Sequence, residues 1–194
     1  RGINSGNFEV DEWQYMAQGR EVLEGNSLGN FILREGKNGH DVQHEFIEYA
    51  LMLPVKFLGI AHKVNVATLF QVYGFFGVIF LVILIYFFML RLSGDKRLSA
   101  LAAVFAVLGY DLIVRYPLLV SGFGPYFNVY SRPVIPIFSA VAFFIFLNLL
   151  AKSLESDGWR YRIFTGLAFG SLFYVYFYAW TFALAFIVIL GAIY

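Results

Sequence analysis

Two adjacent carboxylates near the start of the chain, Asp11 and Glu12, are the residues best suited to do chemistry. They open a short helical pattern at residues 11–24, and Tyr15 follows one turn later. A partly desolvated carboxylate in such a place can act as a general base toward a hydroxyl, or can hold a metal ion. The alternative is a structural role, because Asp11 and Gln14 match a capping box and Glu12 would interact favourably with the helix dipole.

A second group of polar side chains lies at residues 40–45. His40, Asp41, His44 and Glu45 provide imidazole and carboxylate groups, which are ordinary ligands of divalent metals. The alternative is that these side chains are simply solvated in a polar loop. We therefore keep a divalent metal as an alternative, with His44 and Glu45 as its candidate ligands, and assign no definite cofactor.

Composition indicates that most of the chain lies in lipid. Apolar residues make up 60% of the 194 residues and charged residues 14%, with a mean hydropathy of +0.70. Soluble domains are about 45–50% apolar and about 25% charged. The net charge of +1 creates no field suited to nucleic acid. The absence of cysteine excludes disulfides and thiolate chemistry.

The chain divides near residue 63. Residues 1–63 are mixed polar and contain no stretch long enough to cross a bilayer, so we predict an extracytoplasmic loop with two juxtamembrane helices. The first helix, at residues 11–24, ends at Gly25. The second, at residues 42–58, lies at the membrane surface. We expect its apolar side to consist of Phe46, Ile47, Tyr49, Ala50, Leu53 and Phe57.

Residues 64–194 are predicted to form about five transmembrane helices. Apolar runs occupy residues 64–92, 98–114 and 134–151, and the run at 163–194 is long enough for two spans joined by a turn near Tyr178. The predicted fold class is therefore all-α, a polytopic transmembrane bundle with an extracytoplasmic loop that bears membrane-surface helices. We also expect the sequence to be a piece of a longer protein, with a further span before Arg1.

Basic residues predict which loops face the cytoplasm. The connections at 91–97 and 152–162 carry three basic residues each, whereas the connection at 116–133 carries only Arg132. Lys and Arg collect on the cytoplasmic side of membranes. Residues 1–63 and 116–133 would then share the outer face, which brings Asp11, His44 and Arg132 to one side.

The acidic segment resembles a known family. Asp-Glu-x-x-Tyr at 11–15, followed by a short helix that ends in Leu23-Glu-Gly25, is similar to the first outer loop of GT-C glycosyltransferases. That family includes protein O-mannosyltransferases and lipid A aminoarabinose transferases. The similarity extends to two surface helices, a long span that ends at Arg91, and paired short spans with Gly-Leu-Ala-Phe-Gly at 166–170.

The resemblance implies an enzyme that moves a sugar from a polyprenyl-phosphate-linked donor to an acceptor hydroxyl on a glycan, a lipid or a protein. It assigns the general base to Asp11 and a supporting role to Glu12. We also expect Tyr15 and His44 to contact the substrate. The hydroxyl attacks the anomeric carbon with inversion, and polyprenyl phosphate leaves. The expected location is the plasma membrane of a bacterium or archaeon, with the active site on the outer face and no nucleic acid partner.

Two further side chains are candidates for contact with this donor. Arg132 lies where an outer loop re-enters the membrane, and its guanidinium can bind phosphate bidentately; the alternative is an interfacial anchor. Tyr178 belongs to an aromatic run at 174–180 that could stack on sugar; the alternative is a headgroup-level aromatic belt. Many GT-C members have a lysine in place of this aromatic run.

The alternative function is a non-enzymatic polytopic protein, such as a transporter or flippase of lipid-linked glycans. Transporters place polar residues and broken helices near the middle of the bilayer. The predicted spans have mostly apolar centres, which favours surface chemistry. The pair Asp111 and Arg115, spaced to meet on one helix face near the outer end of a span, is either functional or a structural ion pair.

Overall fold

A computed structural model of the chain describes the backbone of residues 10–26, 46–110, 113, 133–156 and 158–193. Side chains are described for all of these except residues 10–13, 110 and 133–135. The described residues form helices joined by turns, without a strand, and the predicted all-α class is confirmed. The helices are α1 (Val10–Glu24), α2 (Phe46–Phe57), α3 (Val66–Ser93), α4 (Lys96–Tyr110), α5 (Ser139–Glu155), α6 (Trp159–Leu172) and α7 (Phe177–Ile193), with a π-helical segment, Pro133–Phe138, before α5.

The ends of α1 follow from local chemistry. At its C-terminus Gly25 has a φ of +86°, and its N–H donates to Val22 O over 3.1 Å while Asn26 N–H donates to Glu21 O over 3.0 Å. This is a Schellman arrangement, which confirms the predicted glycine stop. At the N-terminus the first described residue, Val10, is already helical, and the side chain of Asp11 lies outside the described part, so the capping-box alternative for Asp11 stays a prediction.

The long helix α3 is the central element of the bundle. The side chain of Asn65 accepts from Ala67 N–H over 2.9 Å and caps its start. Gly94, with a φ of +68°, ends it. α3 packs against α4, α5 and the π-helical segment. α3 and α5 run in the same direction, because Tyr73 contacts Phe138 near one end and Phe88 contacts Phe144 further along.

The run at residues 163–194 breaks between Leu172 and Phe177, a few residues before the turn predicted near Tyr178. The N–H groups of Val175 and Tyr176 both donate to Leu172 O, which closes the turn. Across it the rings of Phe173 and Trp180 stack, with centroids 4.8 Å apart and planes at 13°. These contacts hold α6 and α7 as a hairpin.

The helix directions divide the bundle into two ends. The basic end contains the turn at 93–96, the C-terminus of α5 and the N-terminus of α6, next to Arg91, Lys96, Arg97, Lys152, Arg160 and Arg162. The α1 end contains α1, α2, the start of α3, the π-helical segment and the turn at 173–176.

At the basic end, polar contacts tie α3 to α5. Asn148 Nδ2 donates to Leu84 O over 3.0 Å, and Arg91 Nη1 donates to Asn148 O over 2.7 Å. Arg91 also pairs with Glu155 at 3.6 Å. Interhelical hydrogen bonds of this kind hold helices together where apolar burial alone gives little preference.

Within the described part of the chain, two helical stretches are long and apolar enough to cross a membrane, namely Val66–Ser93 and Pro136–Glu155. The apolar helix Phe177–Ile193 is shorter. The predicted spans at residues 98–114 and 163–194 therefore stay predictions.

The close contact at Gly77 between α3 and the π-helical segment predicts a specific sensitivity. A Cβ at Gly77 would lie 2.7 Å from Ile137 Cγ2, so Gly77→Leu must push α3 away from the π-helical segment. We expect a loss of about 1–3 kcal/mol, as for other overpacked cores. Thermal unfolding followed by tryptophan fluorescence in detergent measures it. The matched control is Gly166→Leu in α6, whose Cβ would meet no atom within 4 Å; equal midpoints for the two variants would contradict the crossing.

Candidate functional site

Helix α1 is held by an apolar contact that we call the docking cluster. Its buried members come from α1, α2, the first turns of α3 and the turn between α6 and α7. They are Met16, Val22, Leu23, Ile47, Leu51, Met52, Val55, Val66, Phe70 and Val175. The docking cluster therefore sets the position of the helix that carries Asp11 and Glu12.

α1 and α2 lie side by side and run in the same direction. Gly19 faces Met52, since a Cβ there would be 3.2 Å from Met52 Cε. Further along both helices, Lys56 Nζ donates to Val22 O over 3.4 Å. Because the contacts advance together along both helices, the first turn of α1 lies toward the N-terminal end of α2.

α2 is fastened to α3 by a tyrosine. Tyr73 Oη donates to Leu51 O over 2.7 Å, from the third turn of α3 to the middle of α2. This bond fixes the height of α2 along α3. Through the docking cluster it also fixes the height of α1.

The structure divides the predicted apolar side of α2 between an inward face and an outward face. Ile47, Leu51, Met52 and Val55 are buried, whereas Phe46, Ala50, Leu53 and Phe57 are exposed. The predicted apolar side therefore combined the buried Ile47 and the half-buried Tyr49, which packs against the docking cluster, with an outward stripe of exposed residues. The reason is that α2 is apolar on two faces, and the 3.6-residue period cannot tell which of them meets protein.

Glu48 is a buried carboxyl that the sequence interpretation did not single out. It lies on the inward face of α2 and is 4% exposed. Burial raises its pKa above the ordinary value of 4.5, and a hydrogen bond to its own backbone opposes the rise. The available signal was its spacing, because Leu51, Met52 and Val55 follow at helical intervals on the same stripe.

An apolar groove of about 350 Å³ opens at the α1 end, between the start of α5 and the start of α7. The only hydroxyl from α5 in its wall, that of Ser139, donates to Pro136 O over 2.9 Å. The groove therefore suits a hydrocarbon chain rather than a polar group. Its lining residues are Pro136, Ser139, Ala140, Phe143, Tyr176, Tyr178, Ala179 and Phe182.

The groove and the docking cluster share a wall. Tyr176 lines the groove and also packs against the docking cluster, and Val175 is a buried member of that cluster. Tyr178, 56% exposed, stands at the groove with its ring 5.4 Å from that of Tyr176. Tyr15 is half-buried against the docking cluster, one turn after Asp11. Two of the predicted substrate contacts, Tyr15 and Tyr178, thus lie at the same end of the bundle.

The other predicted site residues are described less fully or not at all. The backbone of Asp11 and Glu12 forms the first turn of α1, and their side chains lie outside the described part. No group of three potential metal ligands occurs among the described residues. Outside those residues lie His40, Asp41, His44, Glu45, Asp111, Arg115 and Arg132.

Comparison with models of protein families, with curated proteins and with solved structures found no match to this chain. The function of the site is therefore inferred from its own geometry and chemistry.

The buried carboxyl predicts a pH dependence of stability. Because the pKa of Glu48 is higher in the folded protein than the unfolded value near 4.5, the folded state binds the extra proton. Stability is then greatest below that value and falls as the pH rises through the folded pKa. We expect Glu48→Gln to remove this fall and to raise the unfolding midpoint at pH 8 by about 2–4 °C, or roughly 1 kcal/mol.

Thermal unfolding at a series of pH values measures this effect. Glu24→Gln is the matched control, because it removes a carboxylate from an exposed position on α1, where Glu24 pairs with Arg20 at 2.6 Å; the fall in stability with rising pH should remain in this variant. A parallel profile for Glu48→Gln and the unmodified protein would show that the buried carboxyl does not govern stability.

Proposed function

We propose that the chain belongs to an integral-membrane glycosyltransferase of GT-C type. The enzyme transfers a sugar from a polyprenyl-phosphate-linked donor to an acceptor hydroxyl, and Asp11 is the general base. The observation that carries the proposal is the shared wall at Tyr176. It joins the docking cluster, which holds the acidic helix, to a groove suited to a hydrocarbon chain.

Membrane placement is supported by the outward faces of the helices. Large apolar side chains are exposed along α3, α4, α6 and α7, which a water-exposed surface rarely tolerates in such number. The basic end has the Lys and Arg content of a cytoplasmic surface. The α1 end then faces outward. Examples of the outward side chains are Phe75, Phe76, Phe80, Leu101, Phe105, Phe164, Leu167, Phe182 and Ile189.

The chemistry requires a proton acceptor and a place for the leaving group. The acceptor hydroxyl attacks the anomeric carbon from the side opposite the phosphate, and its proton passes to the Asp11 carboxylate. The bond between the anomeric carbon and the phosphate oxygen breaks, and polyprenyl phosphate leaves with the electron pair. Phosphate is a good leaving group, so the protein has mainly to position the reactants and to neutralise charge.

The two parts of the donor, its isoprenoid chain and its phosphate, bind different residues of the protein. The isoprenoid chain lies in the groove, with Tyr178 at its edge. Arg132 directly precedes the π-helical segment Pro133–Phe138, whose Pro136 lines the groove, so it is the cation closest in sequence to the groove wall. We assign its guanidinium to the phosphate. We assign contact with the sugar or the acceptor to Tyr15 and His44, and the support of Asp11 to Glu12.

A transporter or flippase is the competing proposal, and the hydrogen bonds of Asn148 inside the bundle do not favour it. Asn148 lies between α3 and α5, where its amide nitrogen donates to Leu84 O and Phe144 O. Both acceptors are backbone carbonyls. The bond to Leu84 O joins α5 to α3 and the bond to Phe144 O lies within α5, so this polar side chain stabilises helix packing. A transport site near the middle of the bilayer would instead need polar groups turned toward a cavity.

The proposal predicts the loss of sugar transfer in Asp11→Asn. Asparagine keeps the shape of the side chain but cannot accept the proton, so the rate should fall by about 100-fold or more. Transfer of radiolabelled sugar from a polyprenyl-phosphate donor by the full-length protein measures it.

The matched control for this assay is Glu24→Gln, which changes an exposed carboxylate at the far end of the same helix. Its activity should equal that of the unmodified protein, and both variants should unfold at the same temperature. Full activity of Asp11→Asn would remove the general-base assignment.

A further inference from the structure

A carboxyl occupies the middle of the inward face of α2, where the neighbouring side chains are apolar. Glu48 is 4% exposed, and Ile47, Leu51, Met52 and Val55 are buried on the same face. An apolar side chain of similar size would avoid the cost of burying a carboxyl there. A buried ionisable group that lowers stability, in a contact that carries candidate catalytic residues, indicates a role in the site.

Helical spacing directs the Glu48 side chain between α1 and α3. Leu51 and Met52 follow it by three and four positions, so the three side chains lie on one face. Met52 lies against Gly19 of α1. The backbone oxygen of Leu51 accepts the hydroxyl bond of Tyr73 from α3. Glu48 therefore lies where α2 meets both of the other helices, and α2 also contacts the π-helical segment.

The register of the two parallel helices places Glu48 one turn from the acidic pair. Glu48 lies four residues before Met52, and Tyr15 lies four residues before Gly19, so Glu48 is level with Tyr15. Asp11 lies a further four residues before Tyr15, which is about 6 Å along the helix axis. The acidic turn therefore lies directly beyond the level at which Glu48 meets α1.

Among the described residues of the packed elements, no cation faces Glu48. α1 provides Tyr15 at the same level, α3 provides Tyr73, and the π-helical segment Pro133–Phe138 has no titratable residue. Lys56 lies eight residues further along α2, about 12 Å, and its ammonium donates to the backbone of α1. Asp11 and Glu12 would oppose a further negative charge. The raised pKa of Glu48, caused first by burial, fits these surroundings.

We propose that Glu48 is a positioning residue for the general base Asp11. Its uncharged carboxyl holds the first two turns of α1 against α2 and α3, and ionisation of that carboxyl loosens these turns while the rest of the bundle stays packed. Asp11 lies in the loosened part, so its place relative to the donor depends on the charge of Glu48. The role of Asp11 rests on the proposed function, whereas the hold of Glu48 on α1 does not.

The direction of the pH effect follows from burial. A Glu48 carboxyl that has left the contact has the ordinary pKa of 4.5, and the docked carboxyl has a higher pKa. Docking of α1 is therefore strongest below pH 4.5, weakens as the pH rises through the docked pKa, and is constant above it. Glu48→Gln keeps the shape of the side chain without the charge, so docking in this variant should not depend on pH in this range.

Amide hydrogen exchange of the full-length protein in phospholipid nanodiscs tests the hold on α1. Protection factors are measured by mass spectrometry from pH 4.5 to pH 8 for peptides of α1 and, as an internal reference, of α5. In the unmodified protein we expect the protection of α1 to fall about ten-fold or more, with α5 unchanged. In Glu48→Gln the protection of α1 should change by less than about two-fold.

Two further variants complete this experiment. Glu48→Leu is a second uncharged variant and should also lack the fall in protection. Glu24→Gln removes an exposed carboxylate from α1 itself and should keep the fall. An equal fall in the unmodified protein and in both Glu48 variants, or no fall in the unmodified protein, would show that Glu48 does not hold α1.

Sugar transfer then tests whether the hold positions Asp11. The ratio of kcat for Glu48→Gln to kcat for the unmodified protein should rise from about one at pH 4.5 to about three or more at pH 8, because a displaced base slows the chemical step. The KM for the polyprenyl-phosphate donor should stay within about two-fold, since other helices line the groove. A ratio of one at every pH in an active enzyme would overturn the positioning role.

The two assays separate this inference from the proposed function. If the unmodified protein transfers no sugar while the protection of α1 follows the charge of Glu48, the proposed function fails and the hold of Glu48 on α1 stands. If sugar transfer proceeds while the protection of α1 is the same at pH 4.5 and pH 8, the inference fails and the proposed function stands.

Discussion

The packing of α1 against α2 and the first turns of α3 is the contact on which the candidate site depends. α1 has 15 residues, and a helix of this length is barely stable in water without tertiary support. Gly19 permits the close approach to Met52 and Phe70, and Met16, Val22 and Leu23 bury the rest of that face. The acidic first turn has a defined position only as long as this face stays docked.

The same contact explains how distant parts of the sequence meet. The turn at 173–176 is more than 100 residues from α1 in the chain, yet Val175 packs in the docking cluster and Tyr176 lines the groove beside it. α3 provides the common support, through Tyr73 at one end and the Arg91 and Asn148 contacts at the other. The acidic first turn of α1, two tyrosines and an apolar groove thus gather at one end of a helical bundle, with Arg91, Lys96, Arg97, Lys152, Arg160 and Arg162 near the opposite end.

Local signals predicted more of this arrangement than long-range ones. The end of α1 at Gly25 and the extent of α3 depend on capping and on a continuous apolar run, both visible in the sequence. The inward face of α2 was not predictable in this way, because both of its faces are apolar and only the neighbours decide which is buried. Glu48 was overlooked for the same reason. The groove is lined by residues of α5 and α7, which are distant in the sequence, so no single segment predicts it.

The central claim is that the acidic turn and the groove work on the outer face of a membrane, with the basic end inside. Labelling of single-cysteine variants in intact cells by a membrane-impermeant maleimide tests it most directly. Arg20→Cys on α1 and Lys96→Cys at the basic end are both exposed positions. The account predicts that position 20 reacts in intact cells and that position 96 reacts only after the membrane is permeabilised. Reaction of both from the same side, or of position 96 alone in intact cells, would contradict it.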